Sequence, residues 1–146
     1  MQNNPIPIAL LAAYRLEQGR PKLYLQRRKS KDQFNDFLEL PGGKIEKGET
    51  PLTACVRETK EEVGIEISES ELQLFGHRRY DYPDKSLLFF ICTYQDQAKL
   101  FGADNFFHMS ELEHYCQEIP PANLEFLKDI DDGLTHYHYE KHDSEL

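Results

Sequence analysis

Three glutamates, Glu58, Glu61 and Glu62, stand at spacing i, i+3, i+4 in a run of good helix formers. At about 100° per residue, that spacing gathers three carboxylates on one arc of a helix. Like charges so placed repel by roughly a few tenths of a kcal/mol per pair, and nothing in helix propensity requires the crowding. A hard divalent cation does, because magnesium or manganese is held by oxygen ligands from neighbouring side chains. The alternative is a solvated acidic face on which Arg57 pairs with Glu61 at i+4, a contact worth about 0.3 kcal/mol.

The helix that carries them is well punctuated. Thr50 is a natural N-cap, Pro51 a natural first residue and Gly64 a stop in the left-handed conformation. Leu52, Val56, Thr59 and Val63 fall in a second arc, expected to pack on a sheet on the side opposite the glutamates. Upstream, Gly42, Gly43 and Gly48 within seven residues are expected to form a sharply bent loop whose backbone other groups can approach closely.

Around this helix the chain reads as paired strands. Ile6 to Tyr14 is a buried apolar run, followed by the turn residues Glu17 to Pro21 and an alternating stretch from Lys22 to Arg28. Leu72 to Tyr80 and Ser86 to Tyr94 form a second pair across Tyr82-Pro83-Asp84-Lys85, and Leu87 to Ile91, apolar on both faces, reads as a central strand. A second helix starts near Pro121 or Ala122 and is expected to stop before Asp131-Asp132-Gly133. The order strand, strand, helix, strand, strand, helix predicts an α+β fold with a mixed sheet between helices. One domain over residues 1–133 and a polar, loosely attached tail over 134–146 are expected. His136, His138 and His142 in that tail read as solvated residues rather than a metal site.

With 146 residues and a net charge of −9, the chain suits a single domain and lacks the basic face that a nucleic acid polymer requires. Its basic clusters are Arg27-Arg28-Lys29 and Arg78-Arg79. No apolar run reaches the roughly 20 residues of a membrane helix, and no signal peptide opens the sequence, so a cytoplasmic location is expected. Cys55, Cys92 and Cys116 are odd in number and unclustered, and read as reduced structural residues rather than a zinc site.

The whole string in register carries more. Gly43, five residues, Glu49, seven residues, then Arg57-Glu58-Thr59-Lys60-Glu61-Glu62-Val63-Gly64-Ile65 resembles the Nudix box, G-x5-E-x7-R-E-U-x-E-E-x-G-U with U aliphatic. The departure is Thr59, which stands at an aliphatic position and so bears on packing; slight destabilisation is expected. The likeness extends over residues 6 to 130 and is closest to the MutT-type branch, through Leu38 to Glu46, Tyr80 to Asp84 and Pro120-Pro121-Ala122-Asn123. It implies the Nudix α/β/α sandwich and magnesium-dependent (or manganese-dependent) hydrolysis of nucleoside triphosphates to monophosphate and pyrophosphate, with oxidised purine nucleotides such as 8-oxo-dGTP as substrate.

Residue by residue, the resemblance implies metal ligation by Glu58, Glu61, Glu62 and the carbonyl of Gly42, with Asp104 an additional acidic ligand. Glu58 is also the implied general base, while Glu49 and Arg57 orient the carboxylates. Arg28 and Lys44 are placed to contact phosphates or nucleotide. Asn123 can offer a donor and an acceptor to a purine edge, or act as a helix cap after Pro-Pro. Tyr82 and Leu40 are candidate apolar walls, Tyr82 equally a hairpin-packing residue. Lys85 stands where the MutT type has an arginine, and it cannot reproduce planar stacking or bidentate bonding. Other phosphoanhydride substrates (ADP-ribose, a dinucleoside polyphosphate or an ordinary dNTP) are the alternative within the family. A catalytically silent nucleotide-binding regulatory domain is the alternative outside it.

Overall fold

The computed structural model describes residues 4–145, with side chains to Lys141. Its contacts divide the chain into two units, residues 1–13 with 40–95 and residues 14–39 with 96–146. Strand β1 (Ile6–Glu17) contributes to both.

The first unit contains the start of β1, β5 (Gly42–Lys44), α1 (Pro51–Val63), β6 (Gln73–Asp81) and β7 (Ser86–Gln95). Within it the sheet runs β6, β7, β1, with β5 also pairing β1. The expected central strand is borne out. β7 lies between β6 and β1, and Phe89, Ile91 and Cys92 are buried, because apolar side chains on both faces of a strand are satisfied only when both faces are covered. β6 and β7 form the expected hairpin, from Gln73↔Thr93 to Asp81↔Ser86, closed by the turn in which the Tyr82 amide donates to the Lys85 carbonyl at 2.8 Å. Helix α1 packs against β5, β6 and β7.

The second unit contains the end of β1, β2 (Arg20–Tyr24), β3 (Gln26–Arg27), β4 (Leu38–Glu39), β8 (Phe106–Phe107), α2 (Met109–Leu112) and α3 (Pro121–Glu145). β1 and β2 pair through Tyr14↔Leu23 to Glu17↔Arg20 across a two-residue turn. Gln18 and Gly19 both take positive φ, 53° and 77°, the twist that a tight hairpin favours. β8 pairs β2, β3 pairs β4, and α3 packs on β2. The α+β class with a mixed sheet is borne out. No helix of the described residues is long and apolar enough to cross a membrane.

One boundary differs. The last helix does not stop before Asp131 but runs on to Glu145. Gly133 is not among the positive-φ glycines, so it is an ordinary helical residue rather than a cap. Leu134 is 4% exposed, and His138 Nε2 lies 2.8 Å from the Tyr14 hydroxyl, with the two rings edge to face. Tertiary contact holds as helix a segment that its polar composition marked as tail. His136 pairs with Glu140 along the helix; His142 lies outside the described side chains.

Candidate functional site

Of the three glycines before α1, Gly42 and Gly43 lie in a strand, whereas Gly48 makes the expected turn at φ 86°. Gly42 to Lys44 pair with β1 through Leu10↔Gly42, Ala9↔Gly43 and Ile8↔Lys44. They are glycines for closeness: a Cβ on Gly42 would overlap the Ala9 carbonyl oxygen, and one on Gly43 would come within 2.5 Å of the Glu58 carboxyl carbon. Only a residue without a side chain lets the strand approach β1 and leaves room for Glu58 against its backbone.

Helix α1 starts and stops as expected. The Thr50 hydroxyl accepts from the Thr53 amide at 3.1 Å, and Gly64 closes the helix at φ 77°. Its buried face is rotated from the expected arc, however. Ala54, Cys55 and Thr59 are 0–1% exposed, whereas Leu52, Val56 and Val63 are half-buried. Small side chains at 54 and 55 allow the helix to sit close to β7, where the Cys92 thiol points at the Pro51 carbonyl at 3.8 Å. A hydrogen bond with Cys92, followed by burial, pushes the Cys55 thiol far above its ordinary range. Cys116 is exposed. The Thr59 hydroxyl donates to the Cys55 carbonyl at 2.7 Å, so the polar residue at this packing position is satisfied within the helix.

This rotation brings the carboxylates of α1 beside the buried face rather than opposite it, and the acidic side chains here differ in exposure. The Glu49 and Glu58 side chains are 14% and 15% exposed, that of Glu61 59%. Arg57 sits at the centre. Its Nε donates to one Glu49 oxygen at 2.7 Å and its Nη2 to the other at 2.8 Å, a two-pronged pair that a rigid guanidinium fork favours. Nη2 also donates to the Lys44 carbonyl at 3.0 Å, while Nη1 reaches Glu58 at 3.0 Å and Glu61 at 3.3 Å. Glu46, which sequence reasoning passed over, joins at 3.7 Å, and its amide donates to Glu49 at 2.8 Å. Its place three residues before Glu49 in the glycine-rich stretch was the available signal. The hydrogen bonds from Arg57, then that from the Glu46 amide, hold the Glu49 carboxyl at about 2. Its partners, Glu49 first, push Arg57 above its ordinary range. Glu62 turns the other way and accepts the Gly42 amide at 3.2 Å.

Four carboxylates thus share one guanidinium, leaving an excess of negative charge on a surface of hard oxygen donors. Among the described residues, no three carboxylate, imidazole or thiol groups are drawn around a common point. Glu58 and Glu61 share Nη1 of Arg57, while Glu62 is held on the Gly42 amide. The donor chemistry, hard carboxylate oxygens in excess over a single guanidinium, fits a hard divalent ion.

The other expected residues are distributed. Lys44 is exposed on β5. Leu40, expected at an apolar wall, is 4% exposed and serves the core of its unit. Tyr82 and Lys85 line a cavity of about 350 Å³ at the tip of the β6–β7 hairpin with Arg79 and Asp84, and burial raises the Tyr82 hydroxyl. Arg28, Asp104 and Asn123 belong to the second unit. Asp104 is exposed on the loop before β8, beside Asn105, whose carbonyl accepts from the Leu25 amide at 3.0 Å. Asn123 is the third residue of α3 rather than its cap, and its amide donates to the Pro120 carbonyl at 2.9 Å. Arg28 leaves the β3 strand with carboxylates on both terminal nitrogens, Asp32 at 3.0 Å and Glu39 at 3.4 Å.

Residues 6–135 match the family model described as the NUDIX domain. A protein of Escherichia coli named 8-oxo-dGTP diphosphatase is 35% identical over 105 residues, covering 70% of this chain and 80% of the relative. One of Haemophilus influenzae with the same name is 32% identical over 109 residues, covering 73% and 79%. A solved structure from work on MutT of Aliivibrio salmonicida and Vibrio cholerae superposes with a TM-score of 0.60 at 27% identity, covering 87% of this chain and 96% of that one.

Proposed function

This chain belongs to the NUDIX family, and on that premise we propose that it hydrolyses nucleoside triphosphates to monophosphate and pyrophosphate with magnesium, preferring oxidised purine nucleotides such as 8-oxo-dGTP. The observation that carries the reading is the set of glutamates on α1 arranged about Arg57, with Gly43 leaving space for Glu58. A silent binding domain has no physical need to maintain that repulsive set. The relatives' names extend the reading to the substrate class.

Family members use divalent metal ions. Here Glu58, Glu61, Glu62 and the Gly42 carbonyl would hold one, with Asp104 as the candidate for an additional acidic ligand. Such an ion withdraws charge from the phosphates and lowers the pKa of bound water. The chain's own residues do the rest. Glu49, braced by the Glu46 amide, fixes the Arg57 fork, and Arg57 in turn orients Glu58 and Glu61. Glu58 accepts the proton of the attacking water. Lys44 and Arg28 engage phosphate oxygens. Tyr82 and Lys85 contribute to nucleotide binding from their hairpin, and Asn123 presents its amide group to the O6 and N7 edge of a purine. With a net charge of −9, a free nucleotide in the cytoplasm is a better-matched substrate than a nucleic acid polymer.

The test is a panel of nucleotides with magnesium, following pyrophosphate and phosphate release. It includes 8-oxo-dGTP, dGTP, the other dNTPs, ADP-ribose and a dinucleoside polyphosphate. A preference for 8-oxo-dGTP over dGTP below about tenfold, ~1.4 kcal/mol, would defeat the oxidised-purine reading. No turnover of any member would defeat the enzymatic one.

A further inference from the structure

The longest basic run in this acidic chain, Arg27-Arg28-Lys29, is neutralised residue by residue. Arg27 meets Glu118 at 2.6 Å and Lys29 meets Asp36 at 2.7 Å. Arg28 meets two acids, through Nη2 to Asp32 at 3.0 Å and Nη1 to Glu39 at 3.4 Å. Its backbone is fixed from both sides: its amide donates to the Phe37 carbonyl at 2.8 Å, and its carbonyl accepts from the Asp36 amide at 2.7 Å. Its Nε is buried without a hydrogen-bond partner. An anion approaching this guanidinium therefore finds a carboxylate already on each terminal nitrogen.

The two occupants are not equivalent. Glu39 lies in β4, with its side chain 24% exposed. Asp32 lies on the loop between β3 and β4, 46% exposed. Its other oxygen accepts the Ser30 hydroxyl at 2.6 Å and the Phe34 amide at 3.0 Å, so the loop itself presents the carboxylate to Arg28.

We infer that Asp32 is a placeholder for a phosphate of the substrate, holding Nη2 of Arg28 until a polyphosphate takes its position. The inference rests on Arg28 as a nucleotide contact. Binding then proceeds as an exchange of anions, and the exchange discriminates by charge. A single-charged anion gains little over the carboxylate it displaces, whereas a phosphate chain brings more charge and more acceptor oxygens to the fork. Because the pair is exposed, its removal changes an equilibrium by at most roughly fivefold. Asp32 thus acts as a specificity residue that sets a charge threshold at Arg28.

The experiment is calorimetric titration of the full chain with inorganic tripolyphosphate, without metal. It compares wild type, Asp32→Asn, Arg28→Ala and the double variant. Tripolyphosphate has no base or sugar, so its binding succeeds or fails independently of the oxidised-purine reading. Asn keeps an oxygen for Ser30 and Phe34 and removes the charge. Asp32→Asn is expected to bind about two- to fivefold more tightly and to lower the KM for dGTP by the same factor, with both gains lost on the Arg28→Ala background. Unchanged or weaker binding in Asp32→Asn, a gain that persists without Arg28, or tripolyphosphate binding that does not depend on Arg28 overturns the inference. Should Asp32→Asn melt below wild type, Asp32→Ser gives the same reading with the loop contacts shortened.

Discussion

Replacement of Arg57 by lysine keeps the charge and removes the fork, which makes it the most direct test of how the carboxylates are held. The guanidinium spans both oxygens of Glu49 at 2.7 and 2.8 Å, the Lys44 carbonyl at 3.0 Å and Glu58 at 3.0 Å. A lysine ammonium, with three donors on a single nitrogen, can satisfy two or three of these four acceptors but not the set. One or two charge-assisted hydrogen bonds are lost, at about 1.5 kcal/mol each, the low end of the range for a site that water reaches. The Arg57 side chain is 23% exposed. The total, about 1.5–3 kcal/mol, corresponds to roughly a 10- to 100-fold loss in kcat/KM if it falls on the orientation of Glu58. The assay is steady-state hydrolysis of dGTP and 8-oxo-dGTP across a magnesium titration, with thermal melting alongside. The expected result is that loss, a higher magnesium requirement and a melting temperature lowered by a few degrees at most. Glu49→Gln should give a similar loss, and the two changes together little more than either, because they break the same pair. Activity within threefold of wild type at unchanged magnesium dependence would refute the argument, as would a loss accounted for entirely by unfolding.

Gly43→Ala places a methyl group where the Glu58 carboxyl lies and should reduce turnover at least about tenfold. Melting should change little, since the atom met is the end of a side chain that can turn away; full activity would show that Glu58 need not occupy this space. Acid titration tests the Glu49–Arg57 pair. The Glu49 carboxyl is held at about 2 against an ordinary 4.5, so its stabilisation is complete above about 4.5 and is lost as pH falls from there towards 2. Melting curves between pH 6 and 2 should therefore show an acid-dependent decline that is shallower in Glu49→Gln, where the other ion-paired carboxylates still titrate. Leu134→Ala should destabilise the chain by about 2–4 kcal/mol in a denaturant titration, because its side chain is buried at 4% exposure. An effect below about 0.5 kcal/mol would be that of a surface residue and would return this segment to the status of a tail.

The chemistry was legible in the sequence because it depends on spacing along one helix. Thr50, Pro51 and Gly64 delimit α1, and the i, i+3, i+4 glutamates with Arg57 are neighbours on its surface whatever the rest of the chain does. The same holds for the hairpins, whose turn residues and apolar alternation are local signals, and for the buried run of β7. Two other features were not local. Which face of α1 is buried was decided by the close approach to β7, where small Ala54 and Cys55 pack more tightly than the larger Leu52 and Val56 can. The pairing of Gly42 to Lys44 with β1 likewise depends on a strand more than 30 residues away in sequence.

What the sequence by itself determined, then, is the set of groups and their order: three carboxylates, an arginine and the glycines that admit them. Only the tertiary structure decided their state. Arg57 is drawn onto Glu49 and the Lys44 carbonyl because β5 is docked on β1, and Glu62 is drawn onto Gly42 for the same reason. The last helix continues through Gly133 because Leu134 finds a core and His138 finds Tyr14, 124 residues away. A short polar segment has too little propensity to remain helical alone, and packing supplies the difference. Types and intervals are properties of the chain; burial, ion-pair partners and helix length depend on what the chain folds against.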